Sequence, residues 1–302
     1  MNRRDPLRYS LRQLEVFLAV ARAQTTASAA VELAMSQSAV SAALKTLEGN
    51  YEVALFDRVG KRLVLNAVGQ HIRTHAEALL THAREVDFAL AGQEHIGDLN
   101  IGASFTIANH VAIDYLAQWL QEFPDARVDI ATGNSPEIVA KVLNHEVDLG
   151  LIEEEIKHAD LELTPWLEDE LIVFAAPHHP LSEKRSLTEA DLLSARWILR
   201  EKDSGARQRF DQTFASLLAD MQIFLEFRHN EPIRRAVEQG LGIGCLSEKV
   251  LQQQFDSGQL TPLRLPKAFR LRRRFFICQR RKRFNRAAVE AFVDLCTAAT
   301  SP

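Results

Sequence analysis

Apolar residues between Ser36 and Glu48 recur with the period of an α-helix. Val40, Leu44 and Leu47 are four and three positions apart, which places them on one stripe of a helix that Ser36 can cap. The opposite face carries short polar side chains and one long base, where a solvated helix usually carries more Glu and Lys. Its members are Gln37, Ser38, Ser41 and Lys45. Such a face can reach base edges and phosphates in a DNA major groove, as the second helix of a helix-turn-helix does.

The segments before this helix favour the same interpretation. Ser10 and Gln13 have the spacing of a capping box, which predicts a helix over Leu11–Ala23. A second, short helix rich in alanine is predicted over residues 26–34, and its small side chains allow a neighbouring helix to pack closely. The order of the three helices is that of a helix-turn-helix.

A basic hairpin is predicted directly after the third helix. Two short strands, 55–58 and 62–65, flank the turn Val59-Gly60-Lys61, which suits the wing of a winged helix-turn-helix. A small helical core with a solvated basic turn would explain each piece, but not their order. The residues predicted to contact DNA are Thr26, Ser28, Ser36, Gln37, Ser38, Ser41, Lys45, Arg58, Lys61 and Arg62.

One long helix is predicted beyond the hairpin, with Asn66 as its cap and its end near Gly92. Its apolar positions are 4, 4, 3, 4, 3 and 4 residues apart, close to a heptad seam, and they are Val68, Ile72, Ala76, Leu79, Ala83, Val86 and Leu90. A single helix cannot bury this stripe. The stripe either packs against the chain's own domains or pairs with a second chain, and we favour pairing because a winged helix-turn-helix usually reads two half-sites.

The pattern changes to alternating strands and helices after a short polar stretch, 92–98. Strands are predicted at 99–103, 127–131 and 147–152, with helices at 107–123 and 136–144, and this order implies a parallel sheet. A similar series follows, with strands at 171–175, 223–227 and 243–246 and helices at 206–218 and 232–238. The fold class is therefore α/β, with two lobes and a cleft between them, where strand ends meet helix starts.

Small polar residues lie at three of these junctions. Residues 104–106 end the first strand, 133–136 end the second, and 203–207 begin a helix of the other lobe. Amides at helix starts and hydroxyl donors suit a small anion, although Ser, Thr and Asn also cap helices when nothing binds. The residues predicted to bind the effector are Ser104, Phe105, Thr106, Asn134, Ser135, Glu153, Ser204, Gly205 and Arg207.

Glu153 is the one acidic member of this set. A carboxylate beside an anion fits if the ligand donates a proton to it or if the carboxyl is itself protonated. The plainer alternative is a solvated side chain next to Glu154 and Glu155.

Composition fits a soluble globular protein of more than one domain. The chain has 302 residues, of which 46% are hydrophobic, and no apolar stretch approaches the roughly 20 residues of a membrane helix. Because we find no signal peptide, we expect a cytoplasmic location and no membrane partner. Three widely spaced cysteines, Cys245, Cys278 and Cys296, suit buried thiols, and no spacing indicates a metal or another cofactor.

The net charge of −4 hides an uneven distribution. Up to Leu65 the sequence has nine basic and six acidic residues, so the winged segment is mildly positive and the rest is acidic. Near the carboxyl terminus, the basic stretch 270–283 surrounds the apolar residues 275–278. We interpret this stretch as a strand with charged ends, with a secondary DNA-binding patch as the alternative.

The chain resembles the LysR-type transcriptional regulators over nearly its full length. The likeness is carried by residues 11–14, 36–41, 47–48 and 55–58, and then by 147–152 and 240–244. Within the family, residues 25–26, 36–49 and 57–62 look most like YeiE-type regulators, some of which respond to sulfite. Two segments depart from the pattern: 50–52 stand where a Leu-Gly turn is usual, and Asn66 replaces a Thr cap.

The resemblance implies a winged helix-turn-helix at residues 1–65, a linker and dimerisation helix at 66–95, and an effector-binding domain at 96–302. Its first lobe would comprise about 96–168 and 268–302, and its second about 169–267. It also implies a homodimer or homotetramer on promoter DNA and a sulfite-like or sulfate-like effector held by Ser104, Thr106 and Ser204. An organic acid or sulfur metabolite in the same cleft is the alternative effector. A solute-binding protein or an enzyme is less favoured, since we find no signature of a nucleophile.

Overall fold

The computed structural model of the chain describes residues 6–90, 98–281 and 287–298. The chain divides into two units, Met1–His95 and Ile96–Pro302, each with its own hydrophobic core. The predicted linker 92–98 lies outside the described residues except for Asp98, as does Arg283 at the end of the basic stretch.

The first unit contains four helices and one hairpin among its described residues. Helices α1, α2 and α3 precede the two-stranded sheet of β1 and β2, and the long helix α4 follows it. Their bounds are Leu11–Ala23, Thr26–Glu32, Gln37–Tyr51, Phe56–Val59, Arg62–Leu65 and Ala67–Leu90. The predicted capping box is present, since the Ser10 hydroxyl accepts from the Gln13 backbone and the Gln13 side chain accepts from the Ser10 backbone. Asn66 Oδ1 likewise accepts from the N–H of Gly69 at the start of α4.

Strands β3 to β11 of the second unit have the bounds Leu99–Ser104, Val128–Gly133, Leu149–Ile152, Leu161–Ala175, Arg196–Arg200, Gln222–Phe227, Ile243–Ser247, Thr261–Pro262 and Arg272–Arg280. Helices α5 to α12 have the bounds Phe105–His110, Ala112–Glu122, Ser135–Leu143, Glu189–Ser194, Gly205–Thr213, Asn230–Glu238, Glu248–Asp256 and Ala287–Ala298. Two 3-10 turns lie at Pro180–Glu183 and Leu218–Asp220.

The strands of the second unit form one sheet in the order β4-β3-β5-β11-β6-β9-β7-β8, with β10 paired to β6. We call the half around β3, β4 and β5 lobe I and the half around β7, β8 and β9 lobe II. Strands β3, β4 and β5 are parallel, as the sequence predicts. The 15-residue strand β6 pairs with β11 over Leu161–Glu170 and with β9 over Leu171–Phe174, so it runs from one lobe into the other.

Three sequence expectations need correction in this unit. The predicted helix 107–123 is two helices, because the backbone at Val111 leaves the helical region between α5 and α6. The predicted helix 206–218 ends at Thr213. Lobe II does not repeat the all-parallel pattern of lobe I, because β6 is antiparallel to β9 and an unpredicted strand, β7, supplies the parallel neighbour of β8 and β9.

Candidate functional site

Helix α3 buries the predicted stripe and presents the predicted polar face. Val40, Leu44 and Leu47 lie in the core of the first unit. The Ser36 hydroxyl caps the helix by accepting from the N–H of Ala39 at 3.2 Å. The remaining polar side chains of the face, Gln37, Ser38, Ser41 and Lys45, are exposed. One face of α3 therefore packs in the core, and the other is exposed and can enter a DNA groove.

Two polar groups of α2 adjoin the start of α3. Gln37 Nε2 donates to Thr26 Oγ1 at 3.4 Å, and Thr25 Oγ1 both accepts from the N–H of Ser28 and lies 2.9 Å from its hydroxyl. Ser28 is exposed and Thr26 is partly buried. The contact of Gln37 with Thr26 joins the amino-terminal starts of α2 and α3, while the contacts of Thr25 with Ser28 cap α2.

The hairpin of β1 and β2 turns tightly at Gly60, whose φ of 62° suits glycine. Val59 pairs with Arg62 across the turn, and Arg58, Lys61 and Arg62 are all exposed. The basic tip predicted from the sequence is therefore accessible to phosphate.

The seam of α4 is divided between the chain's own core and solvent. Ala76 is buried in the core of the first unit, and Ile72 and Leu79 pack against it. Val68, Val86 and Leu90 are exposed by 43%, 57% and 81%. An apolar groove of about 380 Å³ runs beside Val68 between α4 and the helix-turn-helix. The middle of the stripe therefore packs within the chain, as the first alternative expects, whereas pairing of its exposed ends with a second chain stays a prediction.

In the second unit, two serines at helix starts have hydroxyls that do not cap. Ser104 begins α5 and Ser204 begins α9, yet neither side chain bonds to its own helix. Both residues are buried, with 2% exposed surface, and neither Oγ makes a hydrogen bond of good geometry. The Ser104 hydroxyl is nevertheless near enough to Glu153 to help lower the pKa of that carboxyl, whereas Ser204 has no such neighbour among its described contacts. Burying a hydroxyl without a partner costs free energy, so such groups usually mark a binding site.

The other hydroxyl and amide groups of the predicted effector set have partners. Asn134 caps α7 in a capping box with Glu137, and Ser135 Oγ accepts from the N–H of Glu153 at 3.2 Å. The N–H of Thr106 donates to Glu153 Oε1 at 3.1 Å, so the chain's own carboxylate occupies this amide at the start of α5. The plain capping role that the sequence left open therefore applies to Asn134 and not to the two serines.

Glu153 is part of a buried ionic chain and is not the solvated side chain of the plainer alternative. Its Oε2 lies 2.5 Å from Nη1 of Arg273, whose Nε lies 2.7 Å from Asp169 Oδ2, and Ser247 donates to Asp169 at 2.6 Å. Burial raises the pKa of Glu153, but the charges of Arg273 and Arg200 outweigh it and hold the pKa below its ordinary value. The carboxylate is thus balanced by arginine and does not need a proton.

The next residue, Glu154, behaves differently. Burial and the neighbouring charge of Glu153 raise the pKa of Glu154 to about 7. Its Oε1 is buried without a hydrogen-bond partner. The end of β5 therefore carries one carboxylate that stays ionised and one that titrates near neutrality.

Lobe II contributes a second buried arginine to the cleft. Arg200, at the end of β7, is 2% exposed; it binds both carboxylate oxygens of Glu201 and donates to Asn230 Oδ1 at 2.9 Å. Its guanidinium lies 5.5 Å from the ring centre of Phe105, which also contacts His229 edge-on. The lobes meet again at Gly205, where a Cβ would lie 3.1 Å from Glu153 Cβ.

Arg207 does not offer its guanidinium to the cleft in the way the sequence suggests. Its Nε lies 2.7 Å from Asp211, and its Nη1 binds both Glu226 and the backbone oxygen of Arg200. These groups all belong to lobe II, so Arg207 joins α9 to the sheet. The arginines nearest the cleft are Arg200 and Arg273. Sequence reasoning missed Arg273 because its partners, Asp169 and Glu153, lie 104 and 120 positions away. It missed Arg200 because the contact that reaches towards lobe I is made to Asn230, 30 positions away.

The basic stretch forms the predicted strand, β11, in the middle of the sheet, and three consecutive arginines of this strand are paired with carboxylates. Arg272 and Arg274 pair with Glu170 and Glu168 on β6, and Arg273 lies in the buried ionic chain. Arg281 donates to backbone oxygens. These pairings give no support to the alternative of a secondary DNA-binding patch.

The cysteines, the possible metal ligands and the cavities of the described residues further characterise the chain. The cysteines are buried thiols, and burial raises the pKa of Cys278 and of Cys296 to about 12. Among the described residues, no group of three or more His, Cys, Asp or Glu side chains could hold a metal ion. Within the same residues, no helix is both long enough and apolar enough to cross a membrane. A cavity of about 900 Å³ adjoins Phe105, His229 and Asn230 between the lobes.

Comparison with known families agrees with both units. Residues 11–70 match the lysR family of bacterial regulatory helix-turn-helix proteins, and residues 92–301 match the LysR substrate binding domain. This chain belongs to the LysR family. It is therefore a DNA-binding transcriptional regulator with an effector-binding domain.

Individual LysR relatives extend the comparison. The chain is 41% identical over 293 residues to the uncharacterized HTH-type transcriptional regulator YeiE of Escherichia coli K12, covering 97% of this chain and 99% of YeiE. The fold resembles that of full-length CbnR complexed with its target DNA, with a TM-score of 0.69 and 19% identity over 96% of this chain and 100% of CbnR. The regulatory domain of Synechocystis CcmR, solved in complex with 2-PG, matches 68% of this chain and 97% of its own, with 27% identity and a TM-score of 0.62.

Proposed function

We propose that this LysR family member is a cytoplasmic regulator whose effector is a small anion, sulfite or a related sulfur oxyanion, bound between the lobes. The observation that carries the proposal is the pair of buried serines, Ser104 and Ser204, whose hydroxyls make no hydrogen bond of good geometry. Thr106 adds a third hydroxyl, and the backbone N–H groups that begin α9 lie next to Ser204. Donors without acceptors are what an anion requires.

On this proposal, the anion is held mainly by hydroxyl and amide donors. Glu153 and Asp169 share Arg273, so each of these two acidic groups already has an arginine partner. Phe105 and Gly205 shape the cleft wall where the lobes approach each other. Asn134 and Ser135 then hold the loops around the site in place.

The proposed DNA contacts are those of the exposed polar face of α3, the neighbouring part of α2 and the tip of the hairpin. Gln37 and Ser38 would read base edges, while Arg58, Lys61 and Arg62 would neutralise phosphates. The members are Thr26, Ser28, Ser36, Gln37, Ser38, Ser41, Lys45, Arg58, Lys61 and Arg62, all exposed except the half-buried Thr26.

We further propose that two or four chains act together on promoter DNA. Exposed apolar residues at both ends of α4 and the adjoining apolar groove favour pairing through this helix. Anion binding would draw the two lobes together and change how the subunits pack, and thereby the spacing or bend of the DNA sites.

An organic acid or sulfur metabolite is the second candidate effector. The regulatory domain of Synechocystis CcmR, 27% identical to this chain, was solved in complex with 2-PG, which favours this candidate. The charged end of such a ligand would use the same hydroxyls, so its chemistry at Ser104 and Ser204 would be the same.

Thermal unfolding of the full-length chain with sulfite, sulfate and small organic acids tests the anion site. An anion present at 100 times its Kd should stabilise the native protein by about 2.7 kcal/mol, and Ser104→Ala combined with Ser204→Ala should abolish this gain. Ser182→Ala is the matched control, because its hydroxyl donates to the backbone oxygen of Ala176 within lobe II. An equal melting shift in the double variant would overturn the site, and a preference for organic acids would favour the second candidate.

A further inference from the structure

Three polar side chains connect the lobes in a single line of hydrogen bonds. Arg200 Nη1 donates to Asn230 Oδ1 at 2.9 Å, and Asn230 Nδ2 donates to Thr106 Oγ1 at 3.5 Å. All three residues are buried, with exposed fractions of 2%, 8% and 1%. Arg200 and Asn230 belong to lobe II and Thr106 to lobe I.

The direction of donation is the same at every step. Arginine cannot accept, so the guanidinium fixes the Asn230 amide with its oxygen towards Arg200 and its nitrogen towards Thr106. The Thr106 oxygen then accepts, and the Thr106 hydroxyl proton has no acceptor among the described residues. Hydrogen bonds in such a line polarise one another, which strengthens the last donor.

The end of this line lies at the proposed anion site. The backbone N–H of Thr106 is already bound to Glu153, so the side-chain hydroxyl is the donor that Thr106 has left. The hydroxyls of Ser104 and Ser204 also make no hydrogen bond of good geometry, and both serines begin helices that pack beside Glu153.

We propose that Asn230 and Arg200 are positioning residues that fix the Thr106 hydroxyl as a donor, so that the site selects an ionised, acceptor-only oxygen. This inference rests on the proposed anion-sensing function. Because this line of hydrogen bonds crosses between the lobes, Asn230 orients the Thr106 hydroxyl only when the lobes are in contact. The affinity for the anion therefore depends on lobe closure. The charge of Arg200 reaches the ligand through two intervening side chains.

A neighbouring contact between the lobes serves as a control that separates simple bridging of the lobes from the positioning of Thr106. Arg228, two residues before Asn230, lies 2.8 Å from Glu137 of lobe I, and both side chains are largely exposed. Loss of that salt bridge removes a contact between the lobes without touching the hydrogen-bonded line, so Arg228→Gln is the matched control.

The test is a double-mutant cycle on the affinity of the full-length chain for sulfite and for sulfate, measured by calorimetry. Asn230→Ala should weaken binding about 10-fold or more, as expected for a hydrogen bond to a charged group, and so should Thr106→Val. Combined, the two changes should weaken binding little more than either alone, because each breaks the same line. Thr106→Ser should retain affinity, and Arg228→Gln should change it less than 2-fold.

Each other outcome decides against the proposal. The positioning role of Asn230 is overturned, while the anion site stands, if Asn230→Ala binds the anion as tightly as the unmodified chain. It is also overturned if the fold-losses in affinity of Asn230→Ala and Thr106→Val multiply in the double variant. If the unmodified chain binds neither anion, both the sulfur-oxyanion function and the positioning role of Asn230 and Arg200 are overturned. Asn230→Ser replaces Asn230→Ala if the alanine variant does not fold.

Discussion

Serine begins helices in both units of this protein, but its surroundings differ. Ser36 is exposed, and its hydroxyl accepts from the backbone of the helix it starts. Ser104 and Ser204 are buried, and their hydroxyls leave their helices uncapped. A helix-start serine thus caps its own helix where it is exposed, whereas the two buried serines leave their hydroxyls available for the proposed anion.

The same contrast extends to charges. The basic residues of the hairpin are exposed and accessible, whereas those of the cleft, Arg200 and Arg273, are enclosed by acidic partners. Changes to the exposed basic residues of the hairpin should therefore alter DNA binding with little effect on folding. Changes in the cleft should affect folding, effector binding or both.

The largest expected effect comes from removing the centre of the buried ionic chain. Arg273→Met leaves Glu153 and Asp169 buried without their counter-charge, so the free energy of unfolding should fall by about 3–5 kcal/mol. Arg274→Met is the control one residue along β11: its partner Glu168 is 76% exposed, so the loss should stay below about 1 kcal/mol. Urea unfolding measures both, and equal losses would contradict the contrast between buried and exposed charge.

A change on the exposed face of α3 should affect DNA binding and leave stability nearly unchanged. Gln37→Ala should weaken binding to specific promoter DNA by about 1–3 kcal/mol, because a base contact is lost. Binding to unrelated DNA should change little, and thermal stability should stay within about 0.5 kcal/mol because the side chain is exposed. Fluorescence anisotropy on both DNAs at one salt concentration checks this, and equal weakening on both would argue against base readout.

Glu154 makes the stability of the second unit depend on pH. Its pKa is raised from 4.5 to about 7 in the native state, so the native protein holds this proton more tightly than the unfolded chain. The stability it contributes is complete below about pH 4.5 and is lost as the pH rises through 7. Because the side chain keeps some solvent contact, we expect a loss of about 1–2 kcal/mol.

The measurement for Glu154 is unfolding of the unmodified chain and of Glu154→Gln across pH 5 to about 8. The glutamine variant should lack this component of the decline. Parallel curves for the two proteins would show that Glu154 does not titrate in this range.

The smallest expected change in stability comes from replacing the helix-start serines Ser36 and Ser104. Ser36→Ala should lower the free energy of unfolding by about 1 kcal/mol, since a cap is lost. Ser104→Ala, without ligand, should cost nothing or stabilise slightly, because it removes a buried hydroxyl that makes no hydrogen bond of good geometry. If chemical unfolding gave equal losses for the two variants, Ser104 would be acting as an ordinary cap.

The first unit follows from sequence patterns because its determinants are local. The capping box at Ser10, the stripe from Val40 to Leu47 and the turn at Gly60 each depend on residues within a few positions, and the structure contains all three. The parallel strands of lobe I are predictable for the same reason, since helix and strand periods alternate there.

The second unit is less predictable because its decisive contacts are long-range. Arg273 meets Glu153 across 120 positions, and Asn230 meets Thr106 across 124, so no local pattern indicates either. The hydroxyls at 104, 106 and 204 could be picked out by residue type at strand ends. The absence of a well-placed partner for Ser104 and Ser204, the contact of Asn230 with Thr106, and the nearby arginines are visible only in the folded arrangement.

The path of β6 and β11 also has a consequence for how the protein is made. Lobe I is assembled from both ends of the second unit, because β11 and α12 return to it after lobe II is complete. Phe292 and Cys296 of α12 fill the same core as Leu99 and Ile101. During synthesis, the residues of lobe II therefore emerge from the ribosome before lobe I can close its core. A nascent chain that is cut short before α12 would carry an open apolar face, which makes it a ready substrate for chaperones and proteases.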